Sequence, residues 1–158
     1  MLVAALAARS GLAPARVYQD AADSYRREVL GHEPAPWVLG ETKLAGLAEL
    51  EGVQADTARA LAGAGYHMEK GRICRLDGRA FLHVVYTDGA HEYSVFLRRN
   101  ETEPLPGTSQ GSVNGKTLYS AKVGGQQLAS FRSGAFTVLV VAPDQTALTL
   151  ARSAAVVL

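Results

Sequence analysis

The sequence predicts an α+β fold, in which helices pack on one antiparallel sheet of about five to six strands. Asp77-Gly78 and Asp88-Gly89 each separate segments rich in β-branched and aromatic residues, which predicts two consecutive β-hairpins. Residues 13–30 carry apolar side chains at a spacing of four, which is typical of an amphipathic helix. Residues 136–141 are almost continuously apolar, which indicates a central strand covered on both faces.

Length and composition favour one ordinary globular domain. The chain has 158 residues, of which 47% are hydrophobic and 20% are charged, with a net charge of +1. Scattered basic residues on a nearly neutral chain give no reason to expect nucleic acid as a partner. The only cysteine, Cys74, rules out an intramolecular disulfide and a zinc site that needs two cysteines.

The first twelve residues are treated as a separate N-terminal arm, and residues 13–158 as a single domain. Residues 1–8 are apolar but precede a charge at Arg9, whereas a membrane-spanning helix needs about 20 residues. Two interpretations stay open. The arm is either the remnant of a membrane segment whose upstream part lies outside this chain, or an ordinary helical turn.

The first predicted helix runs through residues 13–30, since Pro14 suits a first helical turn and Gly31 suits the position after the last. Its apolar stripe consists of Val17, Ala21, Tyr25 and Val29. The prolines in residues 32–36 predict an extended linker. Residues 37–39 follow as a short edge strand.

Further elements follow from the same signals. Residues 43–52 predict one or two helical turns, residues 56–64 a second helix and residues 145–155 a last helix. The predicted strands are residues 66–69 continuing through 72–76, then 79–86, 91–98, 116–123, 127–132 and 136–142. Residues 100–115 are polar and rich in Gly, Pro, Ser and Thr, which predicts a long loop.

Two-residue turns in both hairpins predict how the strands pair. The expected pairs are Cys74 with Phe81, Arg72 with His83, His83 with Ser94, Phe81 with Phe96, and Tyr86 with His91. Cys74 and His83 then share one face of the sheet as diagonal neighbours, with Cβ atoms about 7–8 Å apart.

This neighbourhood is the candidate metal site of the sequence, formed by Cys74 and His83 with Met68 farther along the strand. A thiolate, an imidazole and a thioether suit copper, zinc or haem. The alternative is that no cofactor binds, because a free cysteine behaves as a small buried hydrophobe and Phe81 and Phe96 flank it here. We also find no metalloprotease H-E-x-x-H motif and no phosphate-binding G-x-x-x-x-G-K-[ST] motif, so we expect no enzyme.

The order of these features resembles the extracytoplasmic domain of bacterial transmembrane anti-sigma factors of the zinc-finger type. The likeness spans roughly residues 17–155. It rests on a leading helix, Trp37-Val38-Leu39, the strand segment 65–72, Leu76-Asp77-Gly78-Arg79 before segments 81–86 and 93–97, the segment 131–136, and Pro143-Asp144 before a helix.

The resemblance implies a non-enzymatic sensor domain that responds to an envelope signal and controls transcription. Its expected location is extracytoplasmic, or cytoplasmic if Met1 is the true start. In that family a cytoplasmic zinc-binding module holds the sigma factor and a helix anchors the protein in the membrane. Both would have to lie upstream of this chain. A homodimer is a further expected partner.

Overall fold

A computed structural model describes residues 15–99, 108–134 and 136–158. In these residues eight strands form a single antiparallel sheet, with helices packed against it. The predicted α+β class and the single antiparallel sheet are confirmed, but the expectation of five to six strands is wrong. The predicted N-terminal arm, residues 1–12, lies outside the described residues.

The elements are named here in chain order. The helices are α1 (Arg16–Ser24), which continues as a π-helical segment (Tyr25–Leu30), α2 (Glu41–Leu50), α3 (Ala55–Ala60) and α4 (Thr146–Val157). The strands are β1 (Val38–Leu39), β2 (His67–Leu76), β3 (Arg79–Thr87), β4 (Glu92–Arg98), β5 (Thr108–Val113), β6 (Lys116–Val123), β7 (Gln126–Ser133) and β8 (Phe136–Ala142).

The sheet consists of two four-stranded halves that meet in the middle. Its strand order is β1-β2-β3-β4-β8-β7-β6-β5, and β4 pairs with β8 in antiparallel register, for example Phe96 with Leu139. Residues 137–142 of β8 are all buried. The prediction of a central strand covered on both faces is therefore confirmed.

Each face of the sheet has its own helical cover. The first face, which includes Leu82, Val84 and Val140, packs against α2, α3 and α4. The second face, which includes Cys74, Phe81 and Leu139, packs against α1 and the π-helical segment. Successive side chains along each strand point to opposite faces of the sheet. A sheet that is covered on both faces therefore needs one set of apolar residues for each face.

The N-terminal helix ends differently from the prediction of one regular helix through residue 30. From Tyr25 onward the turns widen to π-helix, and the N–H of Gly31 donates to the carbonyl oxygen of Arg26 at 3.0 Å. The apolar stripe still faces the sheet, because Tyr25 and Val29 are both fully buried. A π-helical turn has no signature in apolar spacing, so the sequence pattern predicts the helix and its buried face but not this irregularity.

The first hairpin has the predicted geometry. Asp77 and Gly78 both have positive φ, 50° and 75°, as a type I′ turn requires. Cys74 consequently pairs with Phe81, and Arg72 with His83.

The second hairpin is two residues out of the predicted register. Its loop has four residues, because the Asp88 carboxylate accepts hydrogen bonds from the N–H groups of Ala90 and His91 at 2.8 and 2.6 Å. Tyr86 therefore pairs with Tyr93, and His83 with Phe96, where the sequence predicts His91 and Ser94. A shift of two residues leaves every side chain on its predicted face.

The predicted loop 100–115 is wrong in part. Thr108–Val113 forms the edge strand β5, paired with β6, whereas residues 100–107 lie outside the described part. Most of β5 is exposed and polar, so its pairing comes from backbone hydrogen bonds and leaves no apolar alternation to recognise in the sequence.

We predict that Gly71→Ala lowers the free energy of unfolding by about 1–3 kcal/mol, the usual cost of overpacking. A Cβ at Gly71 would lie 2.9 Å from the carbonyl oxygen of His83 and 2.8 Å from the Leu44 side chain. Urea denaturation measures this. Gly46→Ala is the matched control: Gly46 is an exposed residue of α2 with nothing within 4 Å of its Cβ position, so the change should stabilise the domain by up to about 1 kcal/mol. Equal stabilities for the two variants would contradict the packing described at Gly71.

Candidate functional site

The structure places two of the three predicted metal ligands on one face of the sheet. Cys74 and His83 lie on neighbouring strands of the second face, as diagonal neighbours. Met68 packs in the core of the first face, because a bulge between Met68 and Lys70 interrupts the alternation of β2. Met68 is therefore separated from the other two by the sheet itself.

His83 is fully buried among aromatic rings. Its ring stacks on Phe96 at a centroid distance of 4.0 Å and meets the edge of Trp37 at 5.2 Å. Its Nε2 lies 2.7 Å from Ser94 Oγ, whereas Nδ1 has no hydrogen-bond partner among the described residues. Burial, together with the charges of Arg72 and Lys70, lowers the pKa of His83 well below its usual range, so the imidazole is neutral at pH 7.

Cys74 is only 6% exposed, and its surroundings keep the thiol protonated. Burial raises the pKa of Cys74 to about 12, and Glu28 adds to this shift while Arg72 opposes it. A protonated thiol is a poor nucleophile and must lose its proton before it ligates a metal.

The metal assignment stays a prediction. Among the described residues no group of three or more His, Cys, Asp and Glu side chains is placed to hold a metal ion. Cys74 and His83 could contribute two ligands at most, and the residues around them are mostly aromatic or aliphatic.

A partly buried ion pair fastens the π-helical segment to the sheet. The guanidinium group of Arg72 on β2 contacts the Glu28 carboxylate, and the two side chains are only 16% and 13% exposed. Ser24 Oγ donates a further hydrogen bond to Glu28 at 3.3 Å. Arg72 Cζ and Lys70 Nζ also lie over the Trp37 ring, 5.3 and 4.8 Å from its centroid. Since the Trp37 ring contacts His83, both cations adjoin the aromatic cluster that contains His83.

Beside this attachment the π-helical segment forms one side of a cavity of about 310 Å³. The other sides are the Asp88–His91 loop, the beginning of β4, the end of β8 and the first turns of α4. Tyr25, Tyr66 and Tyr93 are among its lining residues, together with Glu92 and Asp144. Tyr25 and Tyr93 are 0% and 2% exposed, so of these three rings only that of Tyr66 presents an appreciable surface. We call this cavity the tyrosine groove.

The tyrosines of the groove are held in place. Tyr25 donates its hydroxyl hydrogen bond to the carbonyl oxygen of Glu92 at 2.8 Å. The hydroxyl of Tyr93 accepts one from the N–H of Gly63 at 2.8 Å, and the ring of Tyr66 meets Tyr93 edge-on at a centroid distance of 4.9 Å. Burial raises the pKa of Tyr93 to about 12 and raises the pKa of Tyr25 and Tyr66 too, so all three phenols are neutral.

Glu92 occupies an unfavourable place for a carboxylate. Burial and the neighbouring Glu69 carboxyl group raise the pKa of Glu92, while Lys70 and His32 act in the opposite direction. Asp144 adds a second negative charge, which contributes to the raised pKa of both Tyr25 and Tyr66. The groove thus combines an aromatic surface with a local excess of negative charge.

A larger depression of about 600 Å³ lies between α1 and the β6–β7 turn. It is lined mainly by charged and polar side chains, among them Asp20, Asp23 and Arg26, and Arg26 pairs with Asp23. Ligand pockets are usually apolar with a few polar groups, which fits the tyrosine groove better.

Sequence reasoning missed the groove, because its residues come from four separate stretches of the chain, within residues 25–32, at 66, and within 90–93 and 142–150. A serine motif was overlooked as well: residues 107–111 read G-x-S-x-G, the spacing of a hydrolase nucleophile turn. Ser109 nevertheless lies on the exposed edge strand β5, opposite Tyr119, whereas that chemistry needs a sharp strand-to-helix turn.

No protein family, curated protein or solved structure matches this chain.

None of the helices in the described part of the chain has both the length and the apolar character needed to cross a membrane.

We predict that His83 makes the domain lose stability as the pH falls below about 6.5, the pKa of an unfolded histidine. Because the pKa of His83 is lower in the folded chain than in the unfolded chain, the unfolded chain takes up the proton first as the pH falls. This residue then lowers the free energy of unfolding by at most about 1.4 kcal/mol per pH unit. Above that pH its contribution is fully present. Urea unfolding of the wild type and His83→Gln between about pH 5 and 7.5 measures the difference.

In the His83→Gln variant the stability should fall less steeply with decreasing pH. His67→Gln, which changes an exposed histidine of β2, should keep the wild-type slope. Equal slopes for the wild type and His83→Gln would contradict the buried, neutral imidazole.

Proposed function

We propose that this chain is a non-enzymatic sensor domain of the anti-sigma type that acts outside the cytoplasm. In this proposal the tyrosine groove receives the signal molecule and the N-terminal helix transmits its arrival. The observation that supports it most is that the π-helical segment both lines the groove and continues α1, the first described element of the chain.

The π-helical segment is suited to respond to a ligand. It is an irregular turn, and such turns occur frequently at functional sites. Besides its buried apolar residues, two polar contacts join it to the sheet, the Glu28–Arg72 ion pair and the hydrogen bond from Tyr25 to Glu92. A ligand that binds one arrangement of this segment better than another shifts the balance between them by its difference in affinity.

The remaining parts of the proposal rest on the family resemblance. A sigma factor would be held by a cytoplasmic module, and a membrane helix would connect that module to α1. Neither segment belongs to the described residues. A shift of α1 against the sheet is the change that such a helix could transmit.

A metal- or haem-responsive protein that uses Cys74 and His83 is the second candidate. It is favoured by one observation: the buried Nδ1 of His83 has no hydrogen-bond partner among the described residues, which leaves a ligand atom available. The raised pKa of the Cys74 thiol opposes it, since metal binding would have to remove that proton. We therefore rank it below the groove.

The sensor proposal predicts that loosening the attachment of the π-helical segment changes transcription without a ligand. Glu28→Gln removes the carboxylate and leaves Arg72 without its charged partner, which should lower the free energy of unfolding by roughly 2–4 kcal/mol. When this variant replaces the wild-type gene at its chromosomal locus, it should change the abundance of a set of transcripts. The promoters of these transcripts should share the recognition element of one sigma factor. RNA sequencing measures the response.

Asp23→Asn is the matched control, because Asp23 pairs with arginines on the exposed side of the same helix. It should leave the transcripts unchanged, with an effect on stability below about 1 kcal/mol. If Glu28→Gln proves too unstable in the cell, Tyr25→Phe removes only the hydroxyl that binds Glu92. Unchanged transcripts in a variant present at wild-type abundance would refute the proposal.

A further inference from the structure

We propose that the tyrosine groove binds a small organic cation in which an ammonium group is attached to an apolar body. This names the chemical class of the signal molecule and rests on the proposed function for its biological meaning. Two independent features support it, the charge distribution around the groove and its aromatic surface.

The charges around the groove are negative and incompletely matched. Glu92 and Asp144 line it, and Glu69 lies next to Glu92. The Asp144 carboxylate accepts hydrogen bonds from the N–H and the hydroxyl of Thr146, whereas no basic residue of the described lining pairs with it. Among the described residues that line it there is no lysine or arginine. Lys70 influences Glu92 from a position over the Trp37 ring, outside the lining.

The two histidines of the lining balance these charges only in part. The imidazole of His91 is engaged with the Asp88 carboxylate, at a distance of 3.1 Å between Nδ1 and Oδ2. His32 is exposed and lies in the linker after the π-helical segment. A bound ammonium group would supply the missing positive charge beside Glu92, where burial makes an isolated carboxylate unfavourable.

The aromatic surface selects among cations. Tyr66 is the partly exposed tyrosine of the lining and meets Tyr93 edge-on, whereas Tyr25 and Tyr93 are almost fully buried. Aromatic rings attract alkylammonium groups by cation–π interactions, and desolvated examples contribute about 2 kcal/mol. Leu30, an exposed residue of the lining, extends the surface with an aliphatic side chain, which would accommodate an apolar body rather than a hydrated metal ion.

The size of the cavity sets an upper limit for the ligand. Pockets for drug-sized molecules have volumes of about 300–1,000 Å³, and the groove lies at the lower end of this range. A single aromatic ring with a substituted ammonium group fits such a volume, whereas a folded peptide segment or a lipid with two acyl chains does not.

The test is a calorimetric titration of the full chain with three probes that share one phenyl ring. Benzyltrimethylammonium is the cationic probe, benzyl alcohol the neutral one and phenylacetate the anionic one. We expect the cation to bind at least about fivefold more tightly than benzyl alcohol, and phenylacetate to bind most weakly. Added salt should weaken the binding of the cation only.

Variants locate the binding. Glu92→Gln should weaken binding of the cation about fivefold to tenfold and leave benzyl alcohol unaffected. Tyr66→Leu keeps an apolar side chain but removes the aromatic ring, and it should weaken the binding of the cation as well. Glu49→Gln removes an exposed carboxylate of α2, remote from the groove, and is the matched control that should bind like the wild type. Melting temperatures establish that each variant is folded.

Several results would overturn the inference. One is that the cation shows no saturable binding up to millimolar concentrations. Others are that the cation and the alcohol bind with equal affinity, or that phenylacetate binds most tightly. The last is that Glu49→Gln loses as much affinity for the cation as Glu92→Gln. The transcription experiment with Glu28→Gln is separate. A transcriptional response without cation binding would contradict only the proposed ligand class. Cation binding without a transcriptional response would contradict only the proposed sensor function.

Discussion

Buried apolar residues such as Val17 and Val29 pack the N-terminal helix on the second face of the sheet, and one partly buried ion pair, between Glu28 and Arg72, adds a charged contact at its π-helical end. Arg72 lies at the centre of this arrangement, because it contacts the carboxylate on the helix side and the Trp37 ring on the sheet side. Its charge also contributes to the lowered pKa of His83 and opposes the raised pKa of Cys74. Removing one partner of such a pair costs far more than the pair itself contributes, since the other charge stays behind with little water.

This arrangement gives the two faces of the sheet different characters. On the first face, aliphatic, aromatic and small residues form an apolar core, and none of its described members is charged. On the second face, the apolar core ends at charged and aromatic groups around Trp37. The tyrosine groove belongs to both faces, because Tyr25 comes from the second core and Tyr93 and Leu150 from the first. The helix on the second face is held by its buried apolar stripe together with a few directional contacts, such as the Glu28–Arg72 ion pair and the hydrogen bond from Tyr25 to Glu92. In the proposed sensor, these directional contacts are the ones that a ligand in the groove would alter.

Much of the fold could be predicted from the sequence, because it follows from local signals. Asp77-Gly78 specifies its own turn, and the apolar stripe that includes Val17 and Tyr25 specifies the buried side of α1. The four-residue loop at Asp88 could not be predicted, since it depends on how one carboxylate satisfies neighbouring N–H groups. The same limitation applies to the bulge that places Met68 on the other face, and to the groove, whose tyrosines come together only through tertiary packing.

Native-state hydrogen exchange tests most directly whether the N-terminal helix is a separately opening element held by the ion pair. We predict that buried amides of Arg16–Leu30 exchange with a lower opening free energy than those of β8. In Glu28→Gln the opening free energy of the helix should fall further, by about 2 kcal/mol or more, and that of β8 by less. If helix and strand exchange together through global unfolding in both proteins, the helix is an inseparable part of the core and the account is wrong.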